Sequence, residues 1–314
     1  MTTVQKTSPG LSFIVPAYNE ELGIEATLAR LEKTLSSLNI SSELIIVNDG
    51  STDRTREIVE SRANIRVINH PINTGYGTAI KTGIREAKYD WIGIADADGT
   101  YDIESLPKLV GSMEQGYEMV IGARENVLER DKRMKRLSRR LLIKFLSVFV
   151  HANIRDPNSG FRIFTRQLAL NFFPFLCNTF SFTTSLTIFF QGEGYFVDHV
   201  YLHYSERKGE SKVRTIRDSI RLIQLVLQGV TYFNPIKFFV GMAFLLVILV
   251  GIPALALVAA GYSEFGFLYL ALGCVSSLIG SLGMLTDIMR SSLVNDTLSP
   301  RESQRHAPNS NDTL

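Results

Sequence analysis

Two nearly charge-free segments, residues 236–262 and 265–288, constrain this chain more than any other feature. As a helix rising about 1.5 Å per residue, each is long enough to cross a hydrocarbon core of about 30 Å. Lipid offers no partner to backbone N–H and C=O groups, so a lone apolar segment there must be helical. Lys237 is the single charge in the first segment, near its start, and Asp287 lies at the end of the second, beside Arg290. The link between them, residues 261–265, has no basic residue, whereas basic residues precede the first segment and follow the second. The positive-inside rule then puts both outer ends in the cytosol and the short loop across the membrane. A buried soluble hairpin is the alternative, and the near absence of charge speaks against it.

The first half of the chain has a different rhythm. Short β-rich apolar runs at 11–15, 44–48, 65–69, 91–95 and 119–122 alternate with helical patterns at 20–38, 53–62, 76–88 and 103–115. Strands joined by crossover helices predict a mostly parallel sheet with helices on both faces, an α/β Rossmann-like domain. Ligands of such sheets bind at the carboxyl ends of the strands. There the sequence places ProAlaTyrAsnGlu at 16–20, AspGlySerThrAsp at 49–53 and AspAlaAspGlyThr at 96–100. Any one of these could be ordinary turn and cap chemistry. All three converging on one sheet edge predict a site.

Between these two regions lies a local basic cluster. Residues 124–144 carry nine basic side chains against three acidic ones, although the whole chain is only +2. No chain-wide field points to nucleic acid, and none is expected as a partner. Residues 133–150 read as a basic amphipathic helix, with Leu137, Leu141, Phe145, Val148 and Phe149 on one side. Residues 215–233 carry a second stripe, Ile216, Ile220, Ile223, Leu227 and Val230. Helices of this kind lie in a membrane interface, or else pack on the soluble domain. The two cysteines, Cys177 and Cys274, are far apart in apolar settings and give neither a disulfide framework nor a metal-ligand spacing. Residues 1–10 are polar, without the apolar core of a signal peptide, and are expected to be disordered; residues 290–314 are expected to form a disordered cytosolic tail.

AspAlaAsp at 96–98 is the most informative tripeptide. Paired carboxylates at a strand end can hold a hard divalent cation, Mg²⁺ or Mn²⁺, whose shell is shared with substrate phosphates. Such an ion neutralises charge on a departing nucleoside diphosphate. His70, His151, His199 and His203 show no mutual ligand spacing and read as structural, and the glycines at 75 and 77 lack the lysine spacing of a phosphate loop.

With these residues in place, 11–124 resembles glycosyltransferase family 2 with the GT-A nucleotide-sugar fold. The resemblance is carried in family order by 14–21 (IleValProAlaTyrAsnGluGlu), 47–53 (ValAsnAspGlySerThrAsp), 73–79 (AsnThrGlyTyrGlyThrAla), 96–100 and 120–124 (ValIleGlyAlaArg). The following 110 residues and the terminal hairpin resemble the polyprenyl-phosphate branch, which includes dolichol-phosphate mannose synthase and bacterial undecaprenyl-phosphate glucosyltransferases. It implies a GT-A catalytic domain over 11–210, an interfacial helix over 211–234 and a membrane hairpin over 235–289.

The resemblance also implies roles. Pro16, Tyr18 and Glu20 would line the nucleotide pocket, Asp49 would contact the base, and Asp96 with Ala97 would face the ribose and diphosphate. Asp98 would be the principal metal ligand, joined by Asp96 and by Thr100, which stands where the mannose synthase has a glutamine. Arg124 matches the phosphate-binding arginine, with Arg139 or Arg140 as a second cation for the acceptor; the rest of the basic run would attract anionic headgroups. The segment 155–162 places Asp156 near the reacting centre. A phosphomonoester with a second pKa near 6 needs little deprotonation, so Asp156 is either a general base or the orienter of an arginine or the sugar. The segment 206–213 would bring Arg207 and Lys212 over the donor diphosphate as a lid, or else is a solvated charged loop.

The implied activity is inverting transfer of a hexose from a UDP- or GDP-sugar to undecaprenyl or dolichyl phosphate, at the cytoplasmic membrane face. Two-span members of the branch can assemble as homo-oligomers. A processive polysaccharide synthase is one rival, but it needs a Gln-x-x-Arg-Trp motif and the only tryptophan, Trp91, sits inside the fourth predicted strand. A non-catalytic membrane scaffold is the other, and it has no use for Asp96, Asp98, Arg124 and Asp156 together.

Overall fold

Val- and Ile-rich runs bounded by polar turns pair into a seven-stranded sheet in the computed structural model of the chain, which describes residues 10–125, 155–203, 229, 232 and 235–305. The chain divides into two compact units, Met1–Leu225 and Val226–Leu314. In the first, the strands are β1 (Leu11–Ala17), β2 (Ser42–Asp49), β3 (Arg66–His70), β4 (Trp91–Ile94), β5 (Met119–Arg124), β6 (Arg162–Thr165) and β7 (Val197–Leu202). Their order is β3-β2-β1-β4-β6-β5-β7. Strands β1 to β4 are mutually parallel, and β5 and β7 are parallel to each other. Among the described strands, only β6 runs against its neighbours, β4 and β5.

The inner strands are buried on both faces, so they show continuous apolar runs rather than alternation, while the edge strands β3 and β7 are partly exposed. Phe13, Ile14, Val15, Ile45, Ile46 and Val47 are all fully enclosed. Helix α1 (Ile24–Ser36) buries Ile24, Leu28, Leu31 and Leu35, the spacing that puts one stripe of a helix against a sheet. Helices α2 (Thr55–Glu60), α3 (Tyr76–Glu86) and α4 (Leu106–Glu114) complete the crossovers. All five predicted strands and four predicted helices of this stretch are present, each within a few residues of its expected bounds.

The sequence reading did not find β6, β7, or the helices α5 (Arg166–Asn171) and α6 (Phe182–Gly192). Residues 182–190 of α6 are buried all round, so the helix has no polar face to reveal its period. Two of its hydroxyls are satisfied within the helix, Thr187 Oγ1 donating to the Thr183 carbonyl at 2.9 Å and Ser185 Oγ to the Phe182 carbonyl at 2.7 Å, while Thr184 Oγ1 donates to Asn158 Oδ1.

The second unit is a helical hairpin. Helix α7 (Pro235–Leu246) passes through a π-helical turn at Val247–Gly251 into α8 (Ile252–Ala259), and α9 (Ser263–Arg305) returns. The turn has a cause. Pro253 has no N–H to offer the carbonyl of Leu249, and the Tyr269 hydroxyl donates to that carbonyl at 3.1 Å from the opposite helix. Gly266 and Gly273, seven residues apart, face α8 and the π turn closely: a Cβ would meet Val258 at 2.7 Å and Val250 at 2.4 Å, respectively. Two stretches are long and apolar enough to span a membrane, Phe239–Ala259 and Ser263–Thr286, close to the segments read from sequence. Helix α9 does not stop near 288. It continues to Arg305, through residues expected to form a disordered tail, since extending an existing helix costs far less than nucleating one. The predicted amphipathic helix at 133–150 lies outside the described residues, as does nearly all of that at 215–233.

Candidate active site

The parallel strands deliver their carboxyl ends to one edge, and the order β2-β1-β4 makes that edge a topological switch point. The loops after β1 and β2 are stitched together there. Asn19 N donates to Ser51 Oγ at 3.0 Å, Thr52 N to Asn19 Oδ1 at 2.8 Å, and Glu20 N to Thr55 Oγ1 at 2.8 Å. Asn19 adopts φ 52°, a left-handed backbone that asparagine tolerates better than most residues. Of the predicted nucleotide-pocket residues, Pro16 is buried within β1 opposite Val47, while Tyr18 and Glu20 are partly exposed at the edge.

Asp49, at the end of β2, is buried and accepts four hydrogen bonds. These come from Thr74 N (2.9 Å), Thr74 Oγ1 (2.7 Å), Gly75 N (2.8 Å) and the His70 ring (2.7 Å). Burial opposes its charge, but the hydrogen bonds prevail and hold its pKa below the usual carboxylate range. His70, read from sequence as structural, thus borders the site, and its other ring nitrogen meets Thr82 Oγ1 at 3.0 Å.

Past β4, Asp96 and Asp98 are both partly exposed, with Ala97 buried between them. The Tyr76 hydroxyl donates to Asp96 Oδ1 at 2.8 Å. Thr100, 1% exposed, donates from Oγ1 to Asp98 Oδ1 at 2.7 Å and from its N–H at 3.2 Å. Thr27 Oγ1 donates to the Ala97 carbonyl at 3.0 Å, fixing the strand exit to α1.

The antiparallel strand decides the rest. Because β6 runs backwards, its first residue rather than its last lies at the site edge: Arg162 is in register with Ile94 of β4 and Ile121 of β5. The loop before it, 155–161, is thereby set between Asp96 and Arg124. Asp156 receives Arg124 as a two-pronged pair, Nε to Oδ2 at 2.8 Å and Nη2 to Oδ1 at 2.6 Å, and the Arg124 N–H donates to Oδ2 at 3.0 Å. Asp156 has φ 38°, and Gly160 presses on Asp96: a Cβ there would lie 2.7 Å and 2.8 Å from the two carboxylate oxygens. Gly160 N donates to the Tyr101 hydroxyl at 2.7 Å, and Ser159 Oγ to the Gly122 carbonyl at 2.6 Å.

Arg162 itself is fully buried, and its acceptors among the described residues are neutral. Its guanidinium donates to the carbonyls of Pro157 (3.1 Å), Ser159 and Thr183 (3.0 Å) and to Thr187 Oγ1 (2.8 Å). Burial pushes its pKa down to about 10, so it stays charged at neutral pH. It ties the Asp156 loop to α6. Tyr76, Gly160 and Arg162 lie inside the segments 73–79 and 155–162 that carry the resemblance, but sequence reasoning assigned them no individual role; a lone arginine in the apolar run SerGlyPheArgIlePhe was the available signal.

Among the described residues, no three His, Cys, Asp or Glu side chains are grouped as a metal cage. Asp96 and Asp98 offer hard oxygen ligands at an open edge, the donor set that suits a divalent ion completing its shell with phosphate and water. Arg139, Arg140, Arg207 and Lys212 lie outside the described residues.

The family model for glycosyl transferase family 2 matches residues 12–173. The low-salt glycan biosynthesis hexosyltransferase Agl6 of Haloferax volcanii is 31% identical over 225 residues, covering 70% of this chain and 54% of that protein. The dolichyl-phosphate beta-glucosyltransferase ALG5C of Trichomonas vaginalis is 32% identical over 242 residues, covering 69% of this chain and 70% of that protein. In fold, the chain is similar to glucosyl-3-phosphoglycerate synthase from Mycobacterium tuberculosis, crystallised with Mn²⁺ and uridine-diphosphate-glucose. The TM-score is 0.59 at 22% identity, over 71% of this chain and 79% of that one. With the mixed sheet, the Asp-x-Asp strand end and a family match over more than half its length, the chain belongs to glycosyl transferase family 2.

Proposed function

We propose that this chain transfers a hexose from a UDP- or GDP-sugar to a polyprenyl phosphate, undecaprenyl or dolichyl, at the cytoplasmic face of a membrane in which its helical hairpin is anchored. The observation that carries the reading is the Asp156–Arg124 pair. A guanidinium held in plane by a carboxylate is a preset grip for phosphate oxygens, and its five-donor fork can serve a carboxylate and a phosphate together. That favours Asp156 as the orienter of Arg124 over Asp156 as a general base.

Asp96 and Asp98 hold the donor side, with Tyr18, Glu20, Ala97 and the Asp49 region at the nucleotide. A Mg²⁺ or Mn²⁺ ion bound by Asp96 and Asp98 would neutralise charge on the departing nucleoside diphosphate. Thr100, assigned to the metal by resemblance, donates to Asp98 and sets that carboxylate's orientation. Arg139, Arg140, Arg207 and Lys212 are assigned to the acceptor phosphate and the donor diphosphate by resemblance alone. In the reaction a phosphate oxygen forms a bond to the anomeric carbon as the bond to the nucleoside diphosphate breaks, inverting that carbon. At neutral pH the acceptor is already largely a dianion, so no base is required.

The test is transfer in detergent with Mg²⁺ or Mn²⁺, polyprenyl phosphate and a panel of UDP- and GDP-sugars, comparing wild type with Asp98→Ala. Metal-dependent formation of a polyprenyl-phosphate sugar of inverted configuration, lost in the variant, is expected. Retained configuration, or a sugar covalently held on the protein, would overturn the mechanism.

A further inference from the structure

Tyr76 opens helix α3 and is fixed from three directions. Behind it, Gly75 has φ 104° and gives its N–H to Asp49 at 2.8 Å, which ties the helix start to β2. Ahead of it, Gly77 packs so tightly on the 177–178 segment that a Cβ would lie 2.2 Å from the Cys177 carbonyl, and Thr78 N donates to the Asn178 carbonyl at 3.2 Å. Beside it, the ring stacks on Phe180, with centroids 5.4 Å apart and planes 20° from parallel. A ring so held has little freedom at χ1, and its hydroxyl reaches Asp96 Oδ1 at 2.8 Å.

The Gly160 backbone also abuts both Asp96 carboxylate oxygens. Nothing in the assigned roles accounts for the contact of Tyr76 with Asp96.

We propose that Tyr76 is a positioning residue of the donor site: its hydroxyl fixes Asp96 Oδ1, with Phe180 bracing the ring, so that the first carboxylate of the Asp-x-Asp pair is oriented before the nucleotide-sugar binds. The inference rests on the donor-site reading above. It requires the hydroxyl to matter for donor and metal binding and not for acceptor use.

The experiment uses the full chain in detergent and compares Tyr76→Phe, Phe180→Leu and Asp96→Asn. It measures binding of UDP and GDP in the presence of Mn²⁺ by calorimetry, donor and acceptor KM, and the thermal unfolding midpoint. A hydrogen bond to a charged group is worth about a factor of ten or more. Tyr76→Phe should therefore weaken nucleotide binding and raise donor KM by about tenfold, leave acceptor KM within about twofold, and unfold near the wild-type temperature. Phe180→Leu, which loosens the brace but keeps the hydroxyl, should fall between the two. Unchanged nucleotide binding in Tyr76→Phe, or donor and acceptor KM rising together, overturns the proposal. If Tyr76→Phe does not fold, wild-type binding in Phe180→Leu overturns it as well. Asp96→Asn separates the two layers: if it binds nucleotide as wild type does, the donor-site reading itself falls; if it is impaired while Tyr76→Phe is not, only the role of Tyr76 falls.

Discussion

The Asp156–Arg124 pair permits a test that distinguishes orientation from base catalysis. The pair is 8% and 15% exposed, and Asp156 also accepts the Arg124 backbone N–H. If the charge-assisted hydrogen bonds from Asp156 are what hold Arg124 on the acceptor phosphate in the transition state, losing them costs about 3 kcal/mol of activation free energy. At about 1.4 kcal/mol per factor of ten, Asp156→Asn should lower kcat/KM for polyprenyl phosphate by roughly 150-fold. A general base is worth roughly 10² to 10⁴, so the single variant does not discriminate. A double-mutant cycle does. If Asp156 acts through Arg124, then in an Arg124→Ala background the further change Asp156→Asn should cost less than about threefold, since the partner it orients is already gone. If Asp156 removes a proton, its loss should cost the same with or without Arg124. The assay is initial-rate transfer with the wild type, both single variants and the double variant at saturating donor. Losses that multiply across the cycle would refute the orienting role.

Two further outcomes are expected. Gly160→Ala should abolish nucleotide binding by calorimetry, because its Cβ would lie 2.7 Å from an Asp96 oxygen that Tyr76 prevents from turning away; normal UDP or GDP affinity in a folded variant would show that the loop can yield. Lys81 supplies a pH signature: it is buried, donating to the Leu176 carbonyl at 2.6 Å and Asn178 Oδ1 at 2.7 Å, and burial lowers its pKa from 10.5 to about 8. Between those values the unfolded chain binds more protons than the folded one, so stability should rise with pH, by about 2 kcal/mol from pH 8 to 9.5. That corresponds to roughly 4 to 8 °C in the unfolding midpoint, read from Trp91 fluorescence, and Lys81→Met should flatten the rise; parallel curves for the two proteins would exclude Lys81 as its source.

The periodic elements were legible because their local signal and their tertiary role agree. Apolar runs ending in AspGlySer or AspAlaAsp are strands that lead to a polar edge, and the stripe at 24, 28, 31 and 35 is a helix on a sheet. Helix α6 was illegible for the opposite reason: buried all round, it shows neither amphipathic period nor polar face, and four hydroxyl residues among its first six make it read as a loop. Strand β6 is four residues long with a fully buried arginine at its start, which no propensity rule would accept.

By itself the sequence determined the class of the domain, the edge on which chemistry would collect, the carboxylates at 96 and 98 and the two apolar segments near its end. These follow from period, length and charge, which are properties of neighbours along the chain. Only the tertiary structure decided that β6 enters between β4 and β5 in the opposite sense, bringing Asp156 to Arg124 and Gly160 to Asp96 across intervals of 32 and 64 residues. It also decided that Tyr76 and Thr100 would each fix one carboxylate of the pair. Those pairings depend on where strands insert and which backbone atoms approach one another, and contacts set by packing leave no period in the sequence.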